Sequence, residues 1–236
     1  MRKIKKGTGM NIKIASPLIN SIIEVNEGEI YSLAVENQYV FRSLIEDLRG
    51  QSDGFGGSAV LSNNDIPIGI EKNLEIIDRF APFDINTKSL LTRITASLEK
   101  TAVNEVHYLN TSKLLGDIER FIYDISFDYP CTIECRRLNI GTLLKTVAVS
   151  IREDYDNSAE KIIDYMKLVR EFEGEKLFLM VNMRAYFSDD EMNLFAQTVN
   201  KHKFYVLLLD GVDYPAIIGE KRLVIDKDIC EIIKNA

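Results

Sequence analysis

The chain has 236 residues, 46% of them hydrophobic, and a formal net charge of −7. That length suits one large domain or two modest ones with a real core, and the acidic balance excludes binding to polyanions through overall charge. The charged start Met1-Arg-Lys-Ile-Lys-Lys6 is no signal peptide, and the longest apolar run, Leu177-Phe-Leu-Met-Val181, falls far short of the roughly 18 residues of a membrane span, so a cytoplasmic protein without membrane contact is expected.

Residues 1–9 carry Arg2, Lys3, Lys5 and Lys6 and read as a disordered extension, with Met10 as an alternative start. Strands are expected at 11–14, 19–25 and 29–35. Val40, Phe41, Leu44, Ile45 and Leu48 then recur at helical spacing up to a stop at Gly50. A loop, Gln51-Ser-Asp-Gly-Phe-Gly-Gly-Ser58, leads to short strands at 59–61 and 74–77, with a turn at Asn63-Asn-Asp65. From about Asp84 the pattern becomes helical: one stripe of Leu90, Leu91, Ile94 and Leu98, and another of Leu114, Leu115, Ile118, Phe121, Ile122 and Ile125. The expected break lies near Asn110-Thr111, and Pro130 closes the pair. A shorter helix at 140–145 precedes Val147, Val149 and Ile151, whose period of two suggests a strand or an extended return.

Asn157 with Glu160 starts a further helix, ended by Gly174. The apolar strand Lys176–Asn182, the capping box Ser188-Asp-Asp-Glu191 with its helix, and the apolar strand Phe204–Asp210 form a βαβ unit with a parallel strand pair, and Leu223-Val-Ile225 reads as an added edge strand. The expected organisation is an α/β domain built from 10–81 and 151–236, interrupted by a helical insertion at 82–150.

A nucleotide-hydrolysing domain of this frame needs Gly-x-x-x-x-Gly-Lys-Ser/Thr between its first strand and helix, so that backbone N–H groups cradle phosphate. Here the turn is Val35-Glu-Asn-Gln-Tyr39, without glycine or lysine. The first of the two apolar strands, Leu177–Val181, ends in Asn182, a weak Mg²⁺ ligand where such enzymes place an Asp. Gly54, Gly56 and Gly57 precede a strand rather than a helix, and Asp210 closes its strand at the edge where α/β sheets place their sites. Cys131, Cys135 and Cys230, an odd number, and the distant His107 and His202 suit neither a zinc site nor a nucleophilic triad. Asp124, Asp128 and Glu134 could share a Ca²⁺. Basic residues cluster at Arg136, Arg137, Lys145 and Arg152, and again at Lys201, Lys203, Lys221 and Arg222.

The order strand-helix, helical insertion and capped βαβ ending resembles the short-form type II-A CRISPR adaptation family called Csn-two. The likeness is carried by 176–182 continuing through Ala185–Glu191 to Val206-Leu-Leu-Leu209. Met10-Asn-Ile, Phe83-Asp-Ile-Asn86 and Leu144-Lys-Thr-Val-Ala-Val149 add to it. The resemblance implies a RecA/P-loop-like α/β head with a degenerate nucleotide site and an inserted α-helical leg, assembled as a homotetrameric ring. The ring would hold double-stranded DNA, free ends in particular, during spacer acquisition beside the CRISPR integrase complex and the effector nuclease. It also implies Ca²⁺ in the leg, although Tyr129-Pro-Cys-Thr-Ile-Glu-Cys-Arg-Arg137 stands where close relatives carry an acidic run. Assembly would gather one basic strip per subunit around a pore, which reconciles an acidic chain with DNA; Arg136, Arg137, Lys145 and Arg152 are the expected contacts. The chain is then no enzyme, and needs no nucleotide. Two alternatives stand beside this reading: a divergent nucleotide-binding enzyme using Gly54, Gly56, Gly57 and Asp210, and a protein-binding scaffold.

Overall fold

The computed structural model describes residues 10–155 and 157–235; the extension expected at 1–9 lies outside the described residues. The chain divides into two compact units, one of residues up to Phe83 together with those from Tyr155, the other Asp84–Asp154.

The first unit is a mixed α/β structure with two sheets. The smaller is antiparallel and combines β1 (Ile12–Ala15), β2 (Ile23–Val25), β4 (Val60–Asn63) and β5 (Ile66–Ile68) in the order β2-β1-β4-β5. The larger runs β10-β9-β3-β8-β7-β6, from β3 (Ile30–Val35), β6 (Leu74–Ile77), β7 (Leu177–Val181), β8 (Tyr205–Asp210), β9 (Lys221–Ile225) and β10 (Glu231–Asn235). Its first five strands in sequence are mutually parallel and β10 closes one edge antiparallel. α1 (Gln38–Ser52) follows β3, one turn of helix α2 (Ile70–Asn73) precedes β6, and α6 (Ser158–Glu173) and α7 (Asp189–His202) flank β7.

Strand alternation explains how so apolar a sheet is buried. Leu177, Leu179 and Val181 of β7 join Leu207 and Leu209 of β8, Leu33 and Val35 of β3, and Leu44 and Leu48 of α1 in one core that reaches the smaller sheet through Ile12, Ile14 and Leu61. Phe178 faces the other way and meets Phe204 edge-on at 5.7 Å, on the side that Met166, Met192, Phe195 and Val199 of the capped helices help to bury. The Ser188–Glu191 capping box is formed as expected, and Gly174 ends α6 at a positive φ of 96°.

Several expectations change. The strand expected at 19–25 shrinks to Ile23–Val25. Gly50 does not stop α1, which runs to Ser52. The stretch Leu223–Ile225 is not at an edge, because β9 lies between β3 and the unexpected β10. In the second unit, α3 (Lys88–Ala102) and α4 (Tyr108–Ser126) break at 103–107 rather than at Asn110-Thr111: the Asn104 side chain accepts the amides of Val106 and His107, and Thr111 already lies within α4. After α5 (Ile140–Thr146) no strand forms at 147–151. Ala148 takes a left-handed φ of 51°, and the Asn86 side chain holds both the N–H and the carbonyl of Ile151 as an extended return. None of the helices among the described residues is long and apolar enough to cross a membrane.

Candidate functional site

Because β3, β7, β8 and β9 are parallel, their C-terminal ends share one edge of the sheet, where α/β proteins place ligands. At the end of β3 the groups that would meet a phosphate are already engaged. The Glu36 amide donates to the carbonyl of Ile225 at 2.8 Å. Asn37 caps α1, its Oδ1 accepting from the amides of Tyr39 and Val40, each at 3.1 Å, while its Nδ2 donates to the carbonyl of Lys227. A helix N-terminus binds anions through free N–H groups, and here a side-chain oxygen occupies two of them.

Asn182, at the end of β7, adopts a left-handed φ of 57° and accepts the Gly211 amide at 3.1 Å, so it ties β7 to the end of β8. Gly54, Gly56 and Gly57 sit in the loop after α1, and that loop is wrapped around a carboxylate. Asp47 accepts the amides of Ser58 and Ala59 and the Ser58 hydroxyl. Burial works against its charge, but those hydrogen bonds prevail and hold its carboxyl below the usual range. A loop with an anionic centre has no phosphate-cradle chemistry, which removes the glycines from the nucleotide alternative.

Asp210 belongs to a buried ionic cluster that the sequence did not signal. Its carboxylate lies 3.6 Å from the Arg184 guanidinium. Arg184 also pairs with Glu220 and donates to the Ser32 hydroxyl at 2.5 Å and the Pro215 carbonyl at 2.9 Å. Arg222 pairs with Asp213 and donates to the carbonyl of Tyr214. Burial pushes the Asp210 carboxyl up to about 6, against the pull of Arg184. Arg222 therefore leaves the second basic group expected from sequence, and Lys221 is paired with Glu29.

On the helical unit, Arg136 and Arg137 are exposed on the extended segment between α4 and α5. Lys145, also exposed, lines a groove of about 510 Å³ between α3 and α5 together with Lys88, a cation missed in the sequence. Arg152 is exposed but paired with Asp154 at 2.6 Å. Asp124 lies in the last turn of α4, Asp128 just beyond it and Glu134 on the extended segment. Among the described residues, no group of three or more His, Cys, Asp or Glu side chains could hold a metal ion, so the expected Ca²⁺ trio does not fit a single ion in this arrangement. Of α4 no residue is buried: Phe121, Ile125 and Leu114 of its apolar stripe stand exposed, as do Leu109 and Tyr123.

A family model of CRISPR-associated proteins (Cas_Csn2) matches residues 51–229. Among solved structures, Stu0660 of Streptococcus thermophilus superposes with a TM-score of 0.53 at 13% identity, over 92% of this chain and 75% of its own. An ATP-binding cassette of an ABC transporter, MJ1267 in its ADP conformation, matches at a TM-score of 0.48 and 10% identity, over 96% of this chain and 92% of its own.

Proposed function

This chain belongs to the CRISPR-associated Cas_Csn2 family, and from that premise we propose that it is a non-enzymatic, double-stranded DNA-binding protein of spacer acquisition, working in the cytoplasm as a ring-shaped homo-oligomer. In this reading the α/β unit is a RecA-like head whose nucleotide site has degenerated, and the helical unit is a leg. The ring is a homotetramer that grips free duplex ends and hands them on beside the CRISPR integrase complex and the effector nuclease.

The observation that carries the reading is a contrast in available charge. The turn that would bind nucleotide phosphate is capped by Asn37, whereas Arg136, Arg137 and Lys145 stand exposed on the helical unit. An anionic polymer meets open cations there, and repetition around a ring multiplies a modest strip into a strong field. Arg152 is the weakest of the four expected contacts, since Asp154 already balances it, and Lys88 joins the set through its place opposite Lys145. The exposed apolar side chains of α4 support self-association, because monomers rarely leave so much apolar surface in water.

The test is a mobility shift with linear and closed-circular duplex across a salt series, beside molar mass by light scattering. Linear duplex is expected to shift without sequence preference, with affinity falling steeply as salt rises. Reversing Arg136, Arg137 and Lys145 to glutamate should abolish retention and leave the molar mass of the assembly unchanged. A chain that is monomeric and shows no shift at low salt would sink the proposal; retention that survives the triple reversal would remove these residues from the interface.

A further inference from the structure

The β8–β9 connection, 211–220, is held to the α/β unit in an unusual way. Ile217 is its one fully buried apolar side chain, while Val212 and Ile218 are exposed. Apart from the Ile218 amide, which donates to Asn193 Oδ1 on α7 at 3.4 Å, what fixes the segment is charge: the Arg184 guanidinium reaches the Pro215 carbonyl and Glu220, and Arg222 reaches the Tyr214 carbonyl and Asp213. Lys234 on β10 takes the second oxygen of Asp213 at 2.8 Å. Ser32 on β3 donates to Glu220 at 2.5 Å.

The cluster is not fully satisfied. Arg184 Nε, Asp210 Oδ1 and Glu220 Oε1 are buried without a hydrogen-bond partner, and the side chains of Arg184, Asp210 and Glu220 are 5%, 5% and 0% exposed. Arg184 thus serves two carboxylates, one at the end of β8 and one at the start of β9, and its contact with Asp210 is at ion-pair distance, 3.6 Å, rather than hydrogen-bond distance. A half-satisfied buried network costs free energy; Arg184 turns Nε to Asp210, Nη2 to Glu220 and Nη1 to the Pro215 carbonyl, so a change in charge on either carboxylate alters the balance of the pulls on one guanidinium.

We propose that 211–220 is a strap with a proton-sensitive latch, in which Arg184 grips Glu220 and Pro215 while Asp210 is protonated and is drawn off the strap toward Asp210 when that carboxyl ionises. The groups facing Asp210 are the Arg184 side chain and backbone N–H after β7, Glu220 and Arg222 at the start of β9, and Ser32 and Asp213 around them. Burial is the largest influence on Asp210 and places its titration at about 6, so the latch works close to neutrality. Loosening the strap would change how Val212 and Ile218 are presented, and with them the surface of this unit.

Amide hydrogen exchange of 212–219, corrected for the intrinsic pH dependence of exchange, tests it between about pH 5 and about pH 8. Protection is expected to fall by on the order of tenfold across that range as one proton is released. Asp210→Asn should hold the strap protected at both ends of the range, and Glu220→Gln should leave it open at both. Protection that is flat with pH in the unaltered chain overturns the proposal even should a variant fail to fold, as does a pH response that persists unchanged in Asp210→Asn.

Discussion

Replacing Asp210 with asparagine should make the protein more stable, although Asp210 lies beside an arginine. The carboxyl is raised from 3.8 to about 6 in the fold, chiefly by burial, with Arg184 recovering only part of that cost. A carboxyl raised by folding is bound to its proton more tightly in the native chain. Its contribution therefore favours the fold as pH falls through 6 toward 3.8, and the burden of the ionised form is fully present above about 6. A shift of about two units corresponds to roughly 3 kcal/mol at neutral pH and above, at about 1.4 kcal/mol per unit. Asparagine keeps the shape and an acceptor for the Arg184 backbone N–H but carries no charge to bury. Urea denaturation at about pH 8 should show the variant more stable by about 2–3 kcal/mol, and the gap should close by about pH 4. A variant that is less stable at about pH 8, or a gap that does not depend on pH, would refute the argument, because either would mean the ion pair with Arg184 outweighs burial.

Asn37→Ala removes two hydrogen bonds to the first turn of α1 and one to Lys227, and should cost about 1 kcal/mol of stability by thermal or chemical denaturation without conferring ATP binding in calorimetry. Gly57→Ala should be worse than an ordinary loop substitution, by roughly 1–3 kcal/mol, since a Cβ there would meet Asp47 Oδ1 at 2.1 Å and Gln51 at 2.5 Å; Gly56→Ala, with open space around it, is the control. Adding Ca²⁺ or EDTA should leave the molar mass by light scattering unchanged, because Asp124, Asp128 and Glu134 do not form a group that could hold an ion.

The parts of this fold that could be read from sequence are those where one physical signal dominates. β7, α7 and β8 announce themselves through two uniformly apolar runs and a capping box between them, and only a parallel pair buried on both faces gives that pattern. β5 was missed because Pro67 interrupts Ile66–Ile68, which is tolerable only in an edge strand, and that is where it lies. β10 was missed because its alternation is spent on polar tethers: Glu231 accepts from Ser21, and Lys234 pairs with Asp213. The stripe on α4 gives the helix, but periodicity reports only that one face is apolar and not what covers it.

The site divides in the same way. The absence of a phosphate loop is a local property of Val35–Tyr39 and was legible, as was the uncharged Asn182. The cluster around Arg184 was not. It joins positions 32, 184, 210, 220 and 222, whose proximity follows from the strand order β9-β3-β8 and from nothing in their spacing. That same order gives the sheet edge its character. Asn37 fills the turn after β3, Asn182 bridges the ends of β7 and β8, and Arg184 ties the end of β8 to the segment leading into β9. Asn37 and Asn182 satisfy, from within the chain, polar atoms that a bound ligand would otherwise have to satisfy, so an incoming nucleotide would have to displace made hydrogen bonds before forming its own. Arg136, Arg137 and Lys145, exposed on the helical unit, stand outside those ties at the sheet edge, which is why an anionic partner is expected to be met there.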